Sequence, residues 1–455
     1  MTEWVIITHS LIFNWANLKS NILDKKMKIS KYNLYAPIAK GVVCFNTITQ
    51  SFAVISNQAY KMLETDDISS LPSNVFDELV ECGFIINKNT DEYQLLVDEH
   101  NAPELDQIYY LTIMPSLDCN VRCWYCFEKH KKGSRLELKT QEAIFSLVKD
   151  ILKDDNIKQI SIELFGGEPL LYFDEDVYPL LSKIREYTLS QDRSYYLFIV
   201  TNGLCITEDM INKFKLLKAN FQISIDGYKD IYNKIKKLYG SKEETYDKII
   251  KIISGLTNND LNVNLRINFD DNSIDKIDGI IQDLANANKK RIKVHLERVW
   301  QTRAEGNSNK SVKDVANSFL ENGYKLSYMN FFRKSFSCKA SRPNEAVISY
   351  NGDIFKCSGR DFTEQLQEGS LLDNGKITWQ EEKLKKRLSI TTYDNEMCKE
   401  CKYLPLCWGP CNQKQLESKS DNLGNYCQLK YMEMGEEDYI LLRFNSALIK
   451  MKENV

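Results

Sequence analysis

The chain has 455 residues, with 60 basic against 63 acidic side chains and 43% hydrophobic residues. That length allows about two to four domains with a buried core, and the near balance of charge argues against nucleic acid or an anionic membrane as the main partner. No apolar run of about 18 residues could span a membrane, and the start Met1-Thr2-Glu3-Trp4-Val5-Ile6-Ile7 lacks a basic n-region and a small-residue cleavage site, so a cytoplasmic protein is expected.

Along the chain, Met27-Lys28-Ile29-Ser30-Lys31 reads like a bacterial start, so residues 1–26 are expected to be extraneous or a frayed end. Residues 32–89 read as a small separate domain. Segments 33–37 and 41–55 alternate apolar and polar residues around a turn at Asn46 and Thr47, and two capped helices begin at Ser56 and Ser73. Strands followed by helices make this domain winged-helix-like. The acidic, Asn-rich stretch 89–105 reads as a linker.

Beyond it, strands and helices alternate. Strands are expected at 108–113, 159–165, 196–200, 221–225, 263–268 and 293–297. Helices are expected at 141–152, 177–189, 210–217, 246–256 and 277–286. Repeated βα units of this kind imply a parallel sheet, closed or partly closed as a barrel, with its chemistry at the strand ends. Three such ends carry polar or Gly-rich signals. After the first strand comes Cys119-x3-Cys123-x2-Cys126, after the second Gly166-Gly167-Glu168-Pro169, and after the third Thr201-Asn202-Gly203.

Thirteen cysteines, an odd number, are read as metal ligands rather than disulfides in a reducing compartment. Three thiolates from one short loop can hold a four-iron cluster and leave one iron free. The C-terminal third adds Cys338, Cys357, Cys398-x2-Cys401-x5-Cys407-x3-Cys411 and Cys427. Cys398-x2-Cys401 alone would suit zinc, but seven cysteines with no nearby His favour iron–sulfur clusters over a zinc ribbon. Cys44, Cys82 and Cys205 fall outside both patterns and read as buried small hydrophobes. His9, His100, His130 and His295 share no spacing, and His130 reads as a surface residue.

The cysteine loop after the first strand and the GGEP run after the second resemble the radical S-adenosylmethionine (SAM) superfamily over residues 105 to about 330. That resemblance implies a partial (βα)6 barrel and a 4Fe-4S cluster on Cys119, Cys123 and Cys126. It also implies SAM bound to the open iron and cleaved to a 5'-deoxyadenosyl radical. SAM contacts are implied at Gly166, Gly167, Glu168, Ser224 of Ser224-Ile225-Asp226-Gly227, and Arg266, with Tyr125 by the adenine. Arg266 would fork onto the SAM carboxylate. From the residues alone, Ser224 and Asn202 serve equally well as strand-end caps, and Tyr125 as packing. Many relatives carry Arg in the helix after the SIDG turn; Lys236 and Lys237 stand there in this chain, and no role is assigned to them.

The later cysteines resemble the SPASM domain, a two-cluster extension of radical SAM enzymes that modify peptides. By that pattern Cys398, Cys401, Cys407 and Cys427 hold an outer 4Fe-4S cluster, and Cys338, Cys357 and Cys411 an inner one. Fully ligated relatives supply one more cysteine, whereas 339–356 contains none. The inner cluster would therefore keep an open iron suited to a substrate thiolate. Trp408 and Pro410 would shield a cluster, and 429–452 reads as a closing helix with Leu441, Leu442 and Phe444 inward.

The expected organisation is 1–104 for the N-terminal segment, winged-helix-like peptide-recognition domain and linker, 105–335 for the radical SAM core, 336–430 for SPASM, and 431–455 for the closing helix. It resembles thioether-forming peptide maturases. The resemblance implies a precursor peptide whose leader adds as a strand to the N-terminal sheet, and a flavodoxin or ferredoxin as electron donor. Rival readings are a carbon–carbon or carbon–oxygen crosslinking maturase, an anaerobic sulfatase-maturating (formylglycine-generating) enzyme, and a non-catalytic metal-binding adaptor.

Overall fold

The computed structural model describes residues 6–7, 26–329, 338–418 and 423–453. In the N-terminal unit, β1 (Ile6–Ile7) pairs antiparallel with the strand Phe52–Ile55, and β2 (Met27–Ile29) pairs with β6 (Ile85–Asn87). Between them β3 (Asn33–Ile38), β4 (Gly41–Asn46) and β5 (Phe52–Ile55) form a meander in the order β1-β5-β4-β3. The helices Asn57–Glu64 and Ser73–Glu81 follow, the first capped by Ser56, whose hydroxyl accepts the Ala59 amide. Every residue of β4 is buried because both faces of this sheet are covered. Val42 and Cys44 meet Leu63, Val75 and Leu79 under the helices, while Val43 and Phe45 join the core of the main sheet. Of the N-terminal 26 residues, only β1 and Lys26 are described, so the expectation of a frayed end falls mostly outside the described residues.

The linker expectation is overturned. Residues Glu92–His100 form a helix capped by Asp91, and Leu96 is fully buried among Tyr32, Ile48, Tyr393, Leu404 and Trp408. Its partners come from the far ends of the chain, so local polarity read as linker what distant packing makes a wedge.

The main sheet carries seven parallel strands, one more than the six expected: β7 (Ile108–Met114), β8 (Gln159–Leu164), β9 (Ser194–Thr201), β10 (Ala219–Ile225), β11 (Asn262–Phe269), β12 (Ile292–Arg298) and β13 (Lys325–Tyr328). On the other side of β7, β14 (Glu345–Ser349) adds in parallel. It continues antiparallel into β15 (Asp353–Phe355), β16 (Gly369–Leu371) and β17 (Ile377–Trp379), so one sheet of 11 strands joins the barrel to the cysteine-rich region. The helix expected at 277–286 is only Gly279–Asp283 between two 3-10 turns, with Gly279 against the Tyr228 ring.

The closing helix Glu436–Glu453 sits between β13 and the N-terminal sheet. Phe444 meets Phe52 at 5.6 Å between ring centroids, Arg443 donates to Gln50 at 2.6 Å, and the Ser446 hydroxyl satisfies the edge amide and carbonyl of Leu326. Among the described residues, no helix is long and apolar enough to cross a membrane.

Replacing Leu96 by Ala is expected to cost about 3 kcal/mol of stability, measured by denaturant unfolding; a solvated linker would leave the midpoint unchanged.

Candidate active site

The turn after β8 packs directly on the cysteine loop after β7. Gly166 and Gly167 have φ of 83° and 31°. A Cβ on Gly167 would lie 2.1 Å from the Asp118 carbonyl, which instead accepts the Glu168 amide at 2.8 Å. Only glycine fits there. Asp118 in turn organises the loop, its carboxylate accepting the Cys119 amide at 2.8 Å, the Gly133 amide at 2.9 Å and the Arg122 guanidinium at 3.3 Å. Burial would raise this carboxyl, but those hydrogen bonds and the Arg122 charge outweigh it and hold it below the usual carboxylate range.

Above the strand ends lies a cavity of about 350 Å³. It brings together Cys119, Cys123, Cys126, Tyr125, Gly166, Gly167, Ser224 and Arg266, eight of the residues singled out from sequence. Burial, then the nearby Glu168, pushes the Cys119 thiol up to about 12; burial takes Cys126 up to about 11 and also raises Cys123. Cys119 is buried, Cys123 half-buried and Cys126 exposed; thiols raised in this way disfavour thiolate on their own, and positive iron is a partner that makes such a donor set stable. Among the described residues, no three His, Cys, Asp or Glu side chains close on a point as a single metal ion requires. Ligands of a four-iron cluster bind different irons and stand further apart.

Glu168 braces the turn from behind. It is fully buried and does not line the cavity; its carboxylate accepts the Thr201 hydroxyl at 2.7 Å and the amides of Asn202 and Leu170 at 2.9 and 3.0 Å. Those bonds tie the end of β8 to the end of β9.

Other lining residues escaped the sequence reading. The Lys236 ammonium is buried, donates to Ser224 Oγ at 2.9 Å, pairs with Asp226 at 3.1 Å and stands 5.9 Å from the Tyr125 ring centroid. Asn268 links this wall, donating to Asp226 at 2.8 Å and to the Tyr125 hydroxyl at 3.3 Å while accepting from Arg266 Nε at 2.9 Å. The departure from Arg after the SIDG turn was the one available signal, and it could not choose between Lys236 and Lys237. His130 is half-buried with Nε2 3.6 Å from Cys126 Sγ, not a free surface residue. Asn202 turns its amide to Cys119 Sγ at 3.8 Å. Glu128 accepts the Gly167 amide at 2.6 Å, and burial pushes its carboxyl up to about 7.

Among the later cysteines, Cys338 and Cys411 lie near Cys357, and Cys401 and Cys427 lie near Cys398. Burial pushes the Cys357 thiol up to about 12, with the charges of Cys338 and Cys411 acting on it. This set adjoins the cavity, because Ser358 and Gly359 line it. Trp300, stacked on Phe127 at 5.7 Å, and Cys357 Sγ both lie within 4.0 Å of where a Gly359 Cβ would stand. Burial also raises the Cys398 thiol; a hydrogen bond from Asn395 offsets part of this, and the charges of Cys401 and Cys427 add to it. Cys407 ends the short helix Leu404–Cys407 with its thiol toward the Gly409 carbonyl. Trp408 is fully buried beside Tyr393, with ring centroids 4.9 Å apart. Cys44 and Cys82 are buried, whereas half-buried Cys205 accepts from Asn120 at 3.3 Å.

Residues 113–284 match the Radical SAM superfamily model. The chain carries a radical SAM domain. Such a domain implies a four-iron cluster and SAM, and the donor set around the cavity fits both. Over 268 residues the chain is 25% identical to the radical SAM cyclopropyl synthase TigE of Paramaledivibacter caminithermalis, covering 48% of this chain and about half, 55%, of that relative. It is 24% identical to a cysteine-type anaerobic sulfatase-maturating enzyme of Clostridium perfringens over 70% of this chain and 93% of that one. Among solved structures, native anSMEcpe with bound AdoMet and Kp18Cys peptide shares the fold at a TM-score of 0.53 and 20% identity, covering 76% of this chain and all of that chain.

Replacing Lys236 by Met strands buried Asp226 and is expected to cost roughly 3–5 kcal/mol. The double variant Lys236→Met/Asp226→Asn should recover part of that in thermal unfolding. Equal losses in the single and double variants would remove the ion pair from this account.

Proposed function

We propose that this chain is a radical SAM maturase that acts on a ribosomal precursor peptide and joins cysteine sulfur to carbon as thioether crosslinks. The observation that supports this reading is Cys357, on which the charges of Cys338 and Cys411 act, next in sequence to Ser358 and Gly359 on the wall of the cavity of Cys119, Cys123 and Cys126. When bound, a cluster with SAM supplies the hydrogen-atom abstractor, and an auxiliary cluster on three protein thiolates supplies a place for a substrate thiolate and an exit for the surplus electron.

The protein's own part is positioning. Cys119, Cys123 and Cys126 hold the first cluster, and the Gly166-Gly167 turn offers backbone to the SAM ammonium. Ser224, Lys236 and Arg266 present donors and charge to its carboxylate. Tyr125 is held by Asn268 through its hydroxyl and by Gln301 through its carbonyl, at 2.7 Å from the latter, and flanks the adenine. Cys398, Cys401, Cys407 and Cys427 hold the outer cluster, reached by a flavodoxin- or ferredoxin-type donor. The N-terminal unit takes the leader by strand addition. The sulfatase-maturating relative, 93% of whose length is matched, favours formylglycine formation as the second reading.

Incubated anaerobically with SAM and reductant, the protein is expected to release 5'-deoxyadenosine. A short Cys-bearing peptide encoded beside it should lose two hydrogen atoms per cysteine, and that cysteine should no longer alkylate. Cys357→Ala should keep 5'-deoxyadenosine formation and lose the crosslink. A product with a free thiol, or formylglycine on a sulfatase peptide, would sink the thioether reading.

A further inference from the structure

The barrel lumen has a second opening at the N-terminal ends of its strands. Val200, Gln222 and Arg266 line the upper cavity; Phe198, Asn220 and Asn264, each two positions earlier on the same strands, line another of about 410 Å³. Spacing by two keeps these side chains on one face of the sheet, so both cavities open onto one lumen. The Asn264 amide donates to Gln222 at 3.2 Å, directly bridging the two levels.

This lower cavity is strongly cationic. Lys290, Lys293, Lys325 and Lys450 line it with Arg291, which pairs with Asp260 at 3.1 Å, and among the described residues no Asp or Glu does. Among the described residues, Lys290, Lys293 and Lys450 form no ion pair with a carboxylate. The cleft walls, and then the charges of Arg443, Lys450 and Lys325, hold the Lys293 ammonium below the usual lysine range. Repulsion of this kind is relieved when an anion enters.

A second feature narrows the class of anion. Asn264 Oδ1 is buried without a hydrogen-bond partner, an acceptor that wants a donor. Inorganic phosphate offers chiefly acceptors, whereas a peptide brings N–H donors together with side-chain carboxylates. Tyr196 and Phe198 add apolar surface. The location also fits, since the closing helix that contributes Lys450 also carries Arg443, which touches Gln50 of the N-terminal unit.

We propose that this lower mouth is a binding site for an acidic segment of the substrate peptide. The proposal rests on the peptide-maturase reading and adds a charge requirement to it.

The test uses the full chain and fluorescein-labelled hexaglutamate, read by anisotropy at low salt. Binding is expected, weakened by added salt, and reduced at least about tenfold in Lys293→Glu/Lys450→Glu. Lys61→Glu/Lys385→Glu, with the same change in net charge elsewhere on the surface, should bind as the parent does. Circular dichroism of both variants checks the fold. No binding, equal losses in the two variants, or competition by inorganic triphosphate as strong as by unlabelled hexaglutamate would overturn the proposal. If hexaglutamate fails to bind while the crosslinking assay succeeds, only this site falls; if it binds as expected while crosslinking fails, only the thioether reading falls.

Discussion

The Asp118 carbonyl receives the Glu168 amide at 2.8 Å across a gap that admits no side chain, since a Cβ on Gly167 would reach to 2.1 Å of that oxygen. This backbone contact sets the cysteine loop and the strand-end turn at one fixed separation. Everything that lines the cavity depends on it. Asp118 then fixes the loop from within through the amides of Cys119 and Gly133, and Glu168 fixes the turn from behind through Thr201 and Asn202. Glu168 is more useful buried than exposed. Its carboxylate is surrounded by three donors in low dielectric, where such bonds are strong and their loss costly.

The sheet was legible from the sequence because each parallel strand buries one face under helices, which leaves alternating apolar runs bounded by turn residues. The cysteine loop and the GGEP turn were legible because covalent spacing carries them. What escaped depends on distance in sequence. Glu92–His100 is a helix because Leu96 finds Tyr393, Leu404 and Trp408 some 300 residues away, and nothing in its own composition shows that. Lys236 enters the site because Asp226 and Ser224 turn toward it, and two adjacent lysines offered no means of telling the buried one from its neighbour. His130 reads as surface in sequence, and only the fold of the loop brings its Nε2 to 3.6 Å from Cys126 Sγ.

Two clamps hold the outlying regions to the barrel. Arg298, at the end of β12 and on the cavity wall, pairs with Asp271 at 2.7 Å and with both oxygens of Glu433, just before the closing helix. Across the molecule, Thr47 donates to the Lys402 carbonyl at 2.7 Å and Lys31 to that of Lys399 at 2.9 Å, fastening the N-terminal unit to the segment between Cys398 and Cys407. A planar guanidinium shared by two carboxylates fixes direction as well as distance. The cavity wall is therefore tied to the segment that leads into the closing helix, and the N-terminal unit to the cysteine-rich region.

Barrels of this type are ordinarily filled by layers of branched apolar side chains. Here the apolar residues of β10, β11 and β12, such as Ile223, Leu265 and Val294, are buried, while the intervening positions carry Gln222, Asn264, His295 and Glu297. Burying amides and charges is tolerable only when they bond to one another. Asn262 donates to Asn220 at 3.0 Å, Asn264 to Gln222 at 3.2 Å, and His295 hydrogen-bonds Glu297 at 3.0 Å. Pairs between β10 and β11, and the His295–Glu297 contact within β12, bond these side chains along the wall and leave Asn264 Oδ1 as an unpaired acceptor. The alternation that fastens the helices outside thus lines the inside with groups that prefer water or a polar guest, leaving one wall continuous from the cysteine cavity to the lysines at the other end.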